Sequence, residues 1–325
     1  MPLSDYAKAL LIVVVWGVNF VVIKWGLAGL PPLLLGGVRF TLAALPAIFL
    51  IRRPAVPWRW LVAYGLTVGL CQFGFLFSAL YVGMPAGLAS VVLQSQAFLT
   101  LVLAACLIGE HWTRPQLAGL LFAGAGLALI GASHGHGMTL LGFLLTVAAA
   151  ACWAASNIVV RKMTQEGHHP DMLALVVWSS LVPPLPFLAL SLAIEGPSTV
   201  WAALAGFSLQ SLAAVAYLSF GATLLGYSLW SGLLARHPAN RVAPFSLLIP
   251  VVGLSTAALL LDEWPSPLQW GGSALLIVGL VVNVFGGGGW RESGQGPPDQ
   301  AGGRRAGGGY QSSGATICGV CGSSS

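Results

Sequence analysis

The chain has 325 residues, of which 7% are charged and 57% hydrophobic, with a mean hydropathy of +0.85. A soluble domain carries about 25% charged residues, so this composition excludes a water-exposed globule and points to an all-α polytopic membrane protein. The net charge of +5 is spread along the chain rather than clustered, which argues against a nucleic-acid partner.

Ten apolar segments follow in order, at about 5–27, 32–51, 60–82, 85–108, 115–132, 138–160, 171–193, 209–234, 241–261 and 267–286. Each is close to the roughly 20 residues a bilayer-spanning helix needs. The first has no small-residue cleavage site and reads as a retained span. Prolines at Pro31-Pro32, Pro54, Pro85, Pro115, Pro170, Pro197, Pro238 and Pro265 mark helix starts and tight connections. The connections are mostly short, so consecutive helices are expected to be antiparallel neighbours. Residues 287–325 are rich in Gly, Ser, Pro and Gln and are expected to form a disordered cytoplasmic tail.

Of the fourteen Lys and Arg, all but Lys24 and Arg39 fall at one set of segment ends or in the tail. The positive-inside rule therefore places both termini in the cytoplasm.

Two offsets relate the halves. Asn19 and Asn157 are 138 residues apart, as are Pro32 and Pro170; Glu110, Gln116, Gly119 and Gly126 recur 153 residues later as Glu263, Gln269, Gly272 and Gly279. The difference is taken up by an insertion between Glu195 and Gln210. Five spans per unit is an odd number, so the second unit inserts upside down. The expected organisation is a first five-helix repeat at 1–133, an inverted second repeat at 137–286 and the tail. Such inverted repeats build secondary transporters with a substrate site near the midplane.

The runs Val15-Trp-Gly-Val-Asn19-Phe-Val-Val-Ile-Lys24, Gly83-Met-Pro-Ala-Gly-Leu-Ala-Ser90, Arg241-Val-Ala-Pro244 and Ile249-Pro-Val-Val-Gly-Leu254 resemble the EamA-type branch of the drug/metabolite transporter superfamily. The resemblance covers about residues 5–286. It implies efflux of small amino-acid metabolites, such as O-acetylserine and cysteine, across a bacterial inner membrane by alternating access. Transport of another small solute (other amino acids, sugars or drugs), or import, fits the same fold and stays open. So do proton antiport or facilitated diffusion, and a homodimer. The resemblance carries no binding signature to transfer residue by residue.

Site candidates come from depth in the bilayer, at about 1.5 Å per residue. Trp16, Gln72, Gln94, Gln96, Trp153 and the Leu248-Ile249-Pro250 turn lie near the midplane, and buried amides there need partners. On the fourth segment Ser90 and Gln94 share one face, while Gln96 and Thr100 share another about 200° away. One pair is expected to line a cavity and the other to bond between helices. Arg39 lies seven residues into its segment, with no Asp or Glu at that depth. It suits a substrate carboxylate; bonding to backbone carbonyls or to a lipid phosphate is the alternative. Trp16, Trp153 and Trp178 are cavity-wall or packing candidates. Asn19, Asn157 and Pro250 are gate or helix-packing candidates, and Lys24 is expected to snorkel at the outer face.

No enzyme, metal or cofactor is expected. Cys71, Cys106 and Cys152 sit in apolar spans as small hydrophobes, and Cys318 and Cys321 are a lone CxxC pair. The six histidines lie in loops or at helix ends. A GxSxG match at Gly131–Gly135 joins two membrane segments rather than a strand and a helix. The partners expected are a small-molecule substrate and the lipid bilayer.

Overall fold

The computed structural model describes residues 1–135 and 137–286; residues 287–325, including the expected tail and its CxxC pair, lie outside the described residues. Among the described residues there is no strand. Ten helices are long and apolar enough to cross a membrane: α1 Leu3–Leu27, α2 Pro32–Phe49, α3 Trp58–Tyr81, α4 Ala86–Ile108, α5 Arg114–Ala132, α6 Leu140–Gln165, α7 Met172–Glu195, α8 Leu209–Arg236, α9 Ala243–Leu261 and α10 Pro267–Gly286. The protein is a polytopic α-helical membrane protein.

Most ends agree with the hydropathy reading to within two residues, and two features depart further from it. Helix α6 runs on to Gln165, because Arg161, Lys162 and Thr164 end the apolar run without ending the helix. The insertion between the halves contains a short helix, Pro197–Ala205. Gly196 at φ 89° turns the chain out of α7 and Pro197 starts the new helix at its first position, the place where a missing N–H costs nothing.

Departures from α geometry occur at related places in the two halves. A π-helical stretch occupies Gly65–Gln72 in α3 and Tyr217–Leu225 in α8; adding 153 to the first gives 218–225. A 3₁₀ turn at Leu93–Ser95 in α4 answers the 3₁₀ start of α9 at Ala243–Leu248. The helix ends correspond as well. Helix α4 closes on Gly109 at φ 77° and α9 on Asp262 at φ 55°, left-handed conformations that Gly and Asp tolerate better than most residues. In both, the following glutamate N–H reaches back to a carbonyl six residues earlier: Glu110 to Ala104 and Glu263 to Ala257, each at 3.3 Å. The recurring glutamines have a local cause too. Gln116 Oε1 accepts from Thr113 N at 2.9 Å and Gln269 Oε1 from Ser266 N at 2.8 Å, a capping box opening α5 and α10.

Helices α5 and α10 cross through paired glycines. A Cβ on Gly126 would stand 2.6 Å from the Gly272 carbonyl, and one on Gly119 would stand 2.8 Å from the Gly279 carbonyl. Gly272 and Gly279 meet Gly126 and Gly119 in return, so the contact is reciprocal, as a local two-fold requires. Elsewhere α1 packs on α9, and α4 packs on both α6 and α9.

Ion pairs sit at the helix ends. At the end holding the chain's first residues, Asp5 accepts from Lys8 (3.0 Å) and His237 (2.8 Å) and pairs with Arg236 (3.1 Å), tying α1 to α8. At that same end Arg161 Nη1 holds both Glu110 oxygens at 2.6 and 2.5 Å, and Arg59 pairs with Glu166. At the opposite end Lys24 pairs with Glu263. Lys24 therefore does not snorkel alone: its ammonium is held by a carboxylate from α9.

Candidate functional site

Arg39 is buried, only 3% exposed, although it carries a full charge in the interior of the bundle. Its guanidinium lies 4.0 Å from the centroid of the Phe73 ring, with Phe40 at 5.4 Å and Phe77 at 5.8 Å, so aromatic faces rather than a carboxylate shield the charge. Nη2 donates to Thr223 Oγ1 at 3.2 Å. The Arg39 carbonyl accepts from Ser219 Oγ at 2.9 Å, fixing the backbone of α2 against α8. Its Nε and Nη1 are buried with no hydrogen-bond partner. Two unsatisfied donors on a charged group are costly in a low-dielectric interior.

Arg39 also lines a small cavity of about 20 Å³, room for roughly one water. It is lined by Arg39, Phe40, Tyr64, Val68, Gly69, Phe73, Val176, Ser179, Ser180, Thr223 and Tyr227. Irregular backbone frames it on three sides. Val68, Gly69 and Thr223 sit in the two π-helical stretches, and Ser179 and Ser180 lie where α7 breaks. π-Stretches are frequent at functional sites because they redirect side chains off the regular helical face. The break in α7 has a sequence cause: consecutive Pro183 and Pro184 have no N–H to donate to the Ser179 and Ser180 carbonyls four residues earlier. The Ser179 carbonyl finds Val182 N instead, at 3.0 Å.

Among the residues singled out in the sequence, only Arg39 lines this cavity. Trp16 stands behind it: its ring packs on Tyr227 at 5.5 Å and Trp230 at 5.4 Å, and Nε1 donates to the Ala222 carbonyl at 2.9 Å. Trp178 donates to the Ile51 carbonyl at 3.0 Å and packs against the buried cluster that includes Tyr64 and Leu175, and Trp153 packs against the main core. Gln72 is buried with Oε1 unpaired. Both faces of α4 bond between helices. Gln94 Nε2 donates to the Ser246 carbonyl of α9 at 3.4 Å, while Asn157 Nδ2 of α6 donates to Gln96 Oε1 at 2.9 Å and Thr100 Oγ1 at 3.0 Å. Asn19, its counterpart on α1, is buried with Oδ1 unpaired. Pro250 is buried where α9 passes from 3₁₀ to α geometry. Tyr64, Phe73, Ser179, Ser180, Thr223 and Tyr227 escaped sequence reading. The Pro183-Pro184 pair in mid-span was the available signal for the two serines.

Comparison with known proteins agrees with this architecture. A "Probable amino-acid metabolite efflux pump" of Salmonella typhimurium is 51% identical over 288 residues, covering 88% of this chain and 96% of that protein. Its Escherichia coli namesake is 50% identical over the same length and shares of each chain. A "Probable terminal-alkyne amino-acid exporter" of Streptantibioticus cattleyicolor is 28% identical over 293 residues, covering 87% of this chain and 94% of that one. A crystal structure 21% identical in sequence covers 90% of this chain and 99% of its own with a TM-score of 0.60, a likeness of fold. The model of the EamA-like transporter family matches residues 5–132 and again 140–285, so the chain belongs to the EamA-like transporter family.

Proposed function

We propose that this protein exports small amino-acid metabolites, O-acetylserine and cysteine among them, across the bacterial inner membrane by alternating access, with both termini in the cytoplasm. Two half-identical relatives are named as efflux pumps for such metabolites, which supports the substrate class. The observation that carries the reading is Arg39, a buried guanidinium with two unsatisfied donors and aromatic rather than acidic neighbours. A substrate carboxylate accepting from one of these donors and from the second Nη2 N–H neutralises the charge with bidentate geometry. The α-ammonium then faces the α7 break, where the Ser180 carbonyl and the Ser179 and Ser180 hydroxyls supply acceptors. The cavity holds no carboxylate to attract a purely cationic solute. At about 20 Å³ it is too small for an amino acid, so the substrate-loaded state is expected to be wider.

Overproduction tests the substrate class. Cells making the protein should release more O-acetylserine and cysteine into the medium than cells making a helix-disrupted control, and should tolerate higher external levels of both. Equal release from the two strains would refute it.

A further inference from the structure

We propose that Glu263 is a latch closing the Lys24 end of the transporter, and that Glu110 is its counterpart at the opposite end, the two alternating as substrate passes. The inference rests on the export reading for its direction but on separate geometry for its existence.

Glu263 makes two ties at once. One oxygen pairs with Lys24 at the end of α1, and Oε2 accepts from the Ala86 N–H at the first turn of α4, at 2.6 Å. Three helices, α1, α4 and α9, are thereby held together by one carboxylate that is only 17% exposed. Behind this tie every residue of Ala86–Ser95 is buried. The packing there is close: Gly253 of α9 lies against Ser90 of α4 and the Gly17 carbonyl of α1.

The repeat offsets define what the opposite end would need for the same closure. Glu263 corresponds to Glu110, Lys24 to Lys162 beside Arg161, and the first turn of α4 to the turn Ala239–Val242 just before α9. Only part of that set is assembled. Glu110 gives both oxygens to Arg161 Nη1 and is 45% exposed. The 3₁₀ stretch Ala243–Leu248, which answers the buried stretch Ser90–Ser95 of α4, contains no buried residue. In one conformation, then, Glu263 ties three helices at its end, while Glu110 at the related end is tied only to Arg161. Exchange follows from the symmetry: when Glu263 lets go of Ala86, Glu110 takes the first-turn N–H groups of Ala239–Val242. A cavity of about 230 Å³ lies at the latch, lined by Glu263 together with Pro85, Gly87 and Leu88 at the start of α4.

Accessibility of Ser90 tests the proposal directly, since it is 1% exposed behind the latch. Ser90→Cys is placed in the full chain with the five native cysteines changed to serine. A membrane-impermeant maleimide is then applied to vesicles from the side that holds Lys24. Labelling should be slow with Glu263 present and about tenfold faster or more with Glu263→Ala, the scale of losing a charge-assisted hydrogen bond and an ion pair. Glu263→Gln, which keeps an acceptor for Ala86 but loses the charge, should fall between. Glu110→Ala should slow labelling or leave it slow, because it removes only the opposing tie. Equal labelling of the Glu263 and Glu263→Ala proteins at equal membrane abundance would overturn the latch. Export substrates play no part in this readout, so the latch can fail while the substrate assignment stands, and the reverse.

Discussion

Residue by residue, the interior shows three ways of holding a polar group in hydrocarbon. Asn157 is satisfied, its amide nitrogen shared between Gln96 and Thr100 on a neighbouring helix. Asn19, its counterpart, leaves Oδ1 buried and unpaired, and the positions on α9 that correspond to the acceptors Gln96 and Thr100 are Ile249 and Gly253, which offer its Nδ2 no side-chain acceptor. Interhelical hydrogen bonds in membranes are worth about 0.6 to 2 kcal/mol. Asn157→Ala should therefore lower unfolding stability in detergent by about 1 kcal/mol, whereas Asn19→Ala should cost less. Equal losses would show that the Asn157 network contributes nothing specific. Arg39 belongs to a third kind, a charge held by rings on one side and left with free donors on the other. Its depth and lack of an acidic partner were legible in the sequence. The Phe40, Phe73 and Phe77 cage was not, since a phenylalanine that faces a guanidinium reads the same in a sequence as one that faces lipid.

At the scale of elements, the ten spans were legible because a bilayer forces each helix to satisfy its own backbone and to stay apolar for about 20 residues. Their irregularities were less so. The break in α7 is written in Pro183 and Pro184, but the π-helical stretches in α3 and α8 contain no proline and arise from packing. Glu110 and Glu263, and Gln116 and Gln269, are legible in the sequence as residues that recur at one offset. Their roles as residues after a left-handed cap and as capping-box partners appeared only with the backbone. The glycines of α5 make a sharp test of which ones matter. Gly126 faces the Gly272 carbonyl, whereas a Cβ on Gly124 would meet nothing within 4 Å. Gly126→Ala should destabilise the protein by about 1 to 3 kcal/mol through forced separation of α5 and α10, and Gly124→Ala should not destabilise it. Thermal unfolding of the two purified variants reads the difference; indistinguishable melting would remove the close crossing from the account.

For the molecule as a whole, the two halves supply different things. The Arg39 position in α2 corresponds to Val177 in α7, so the charge is not duplicated while the broken and π-helical backbone around it comes from both halves. The end ties are likewise related in sequence but unequal in state, with Glu263 bridging three helices and Glu110 bound to one arginine. A transporter needs that inequality, since two ends closed alike would trap substrate and two ends open alike would leak it. Sequence could supply the list of paired residues; which pair is engaged is a property of packing. The central claim is that Arg39 receives the carboxylate of an exported amino-acid metabolite. Efflux of radiolabelled O-acetylserine from proteoliposomes tests it most directly, comparing the unaltered protein with Arg39→Gln at matched amounts in the membrane. Loss of one bidentate charged contact predicts at least about a tenfold fall in efflux at low substrate concentration. Efflux through the Arg39→Gln protein at the unaltered rate would contradict the account.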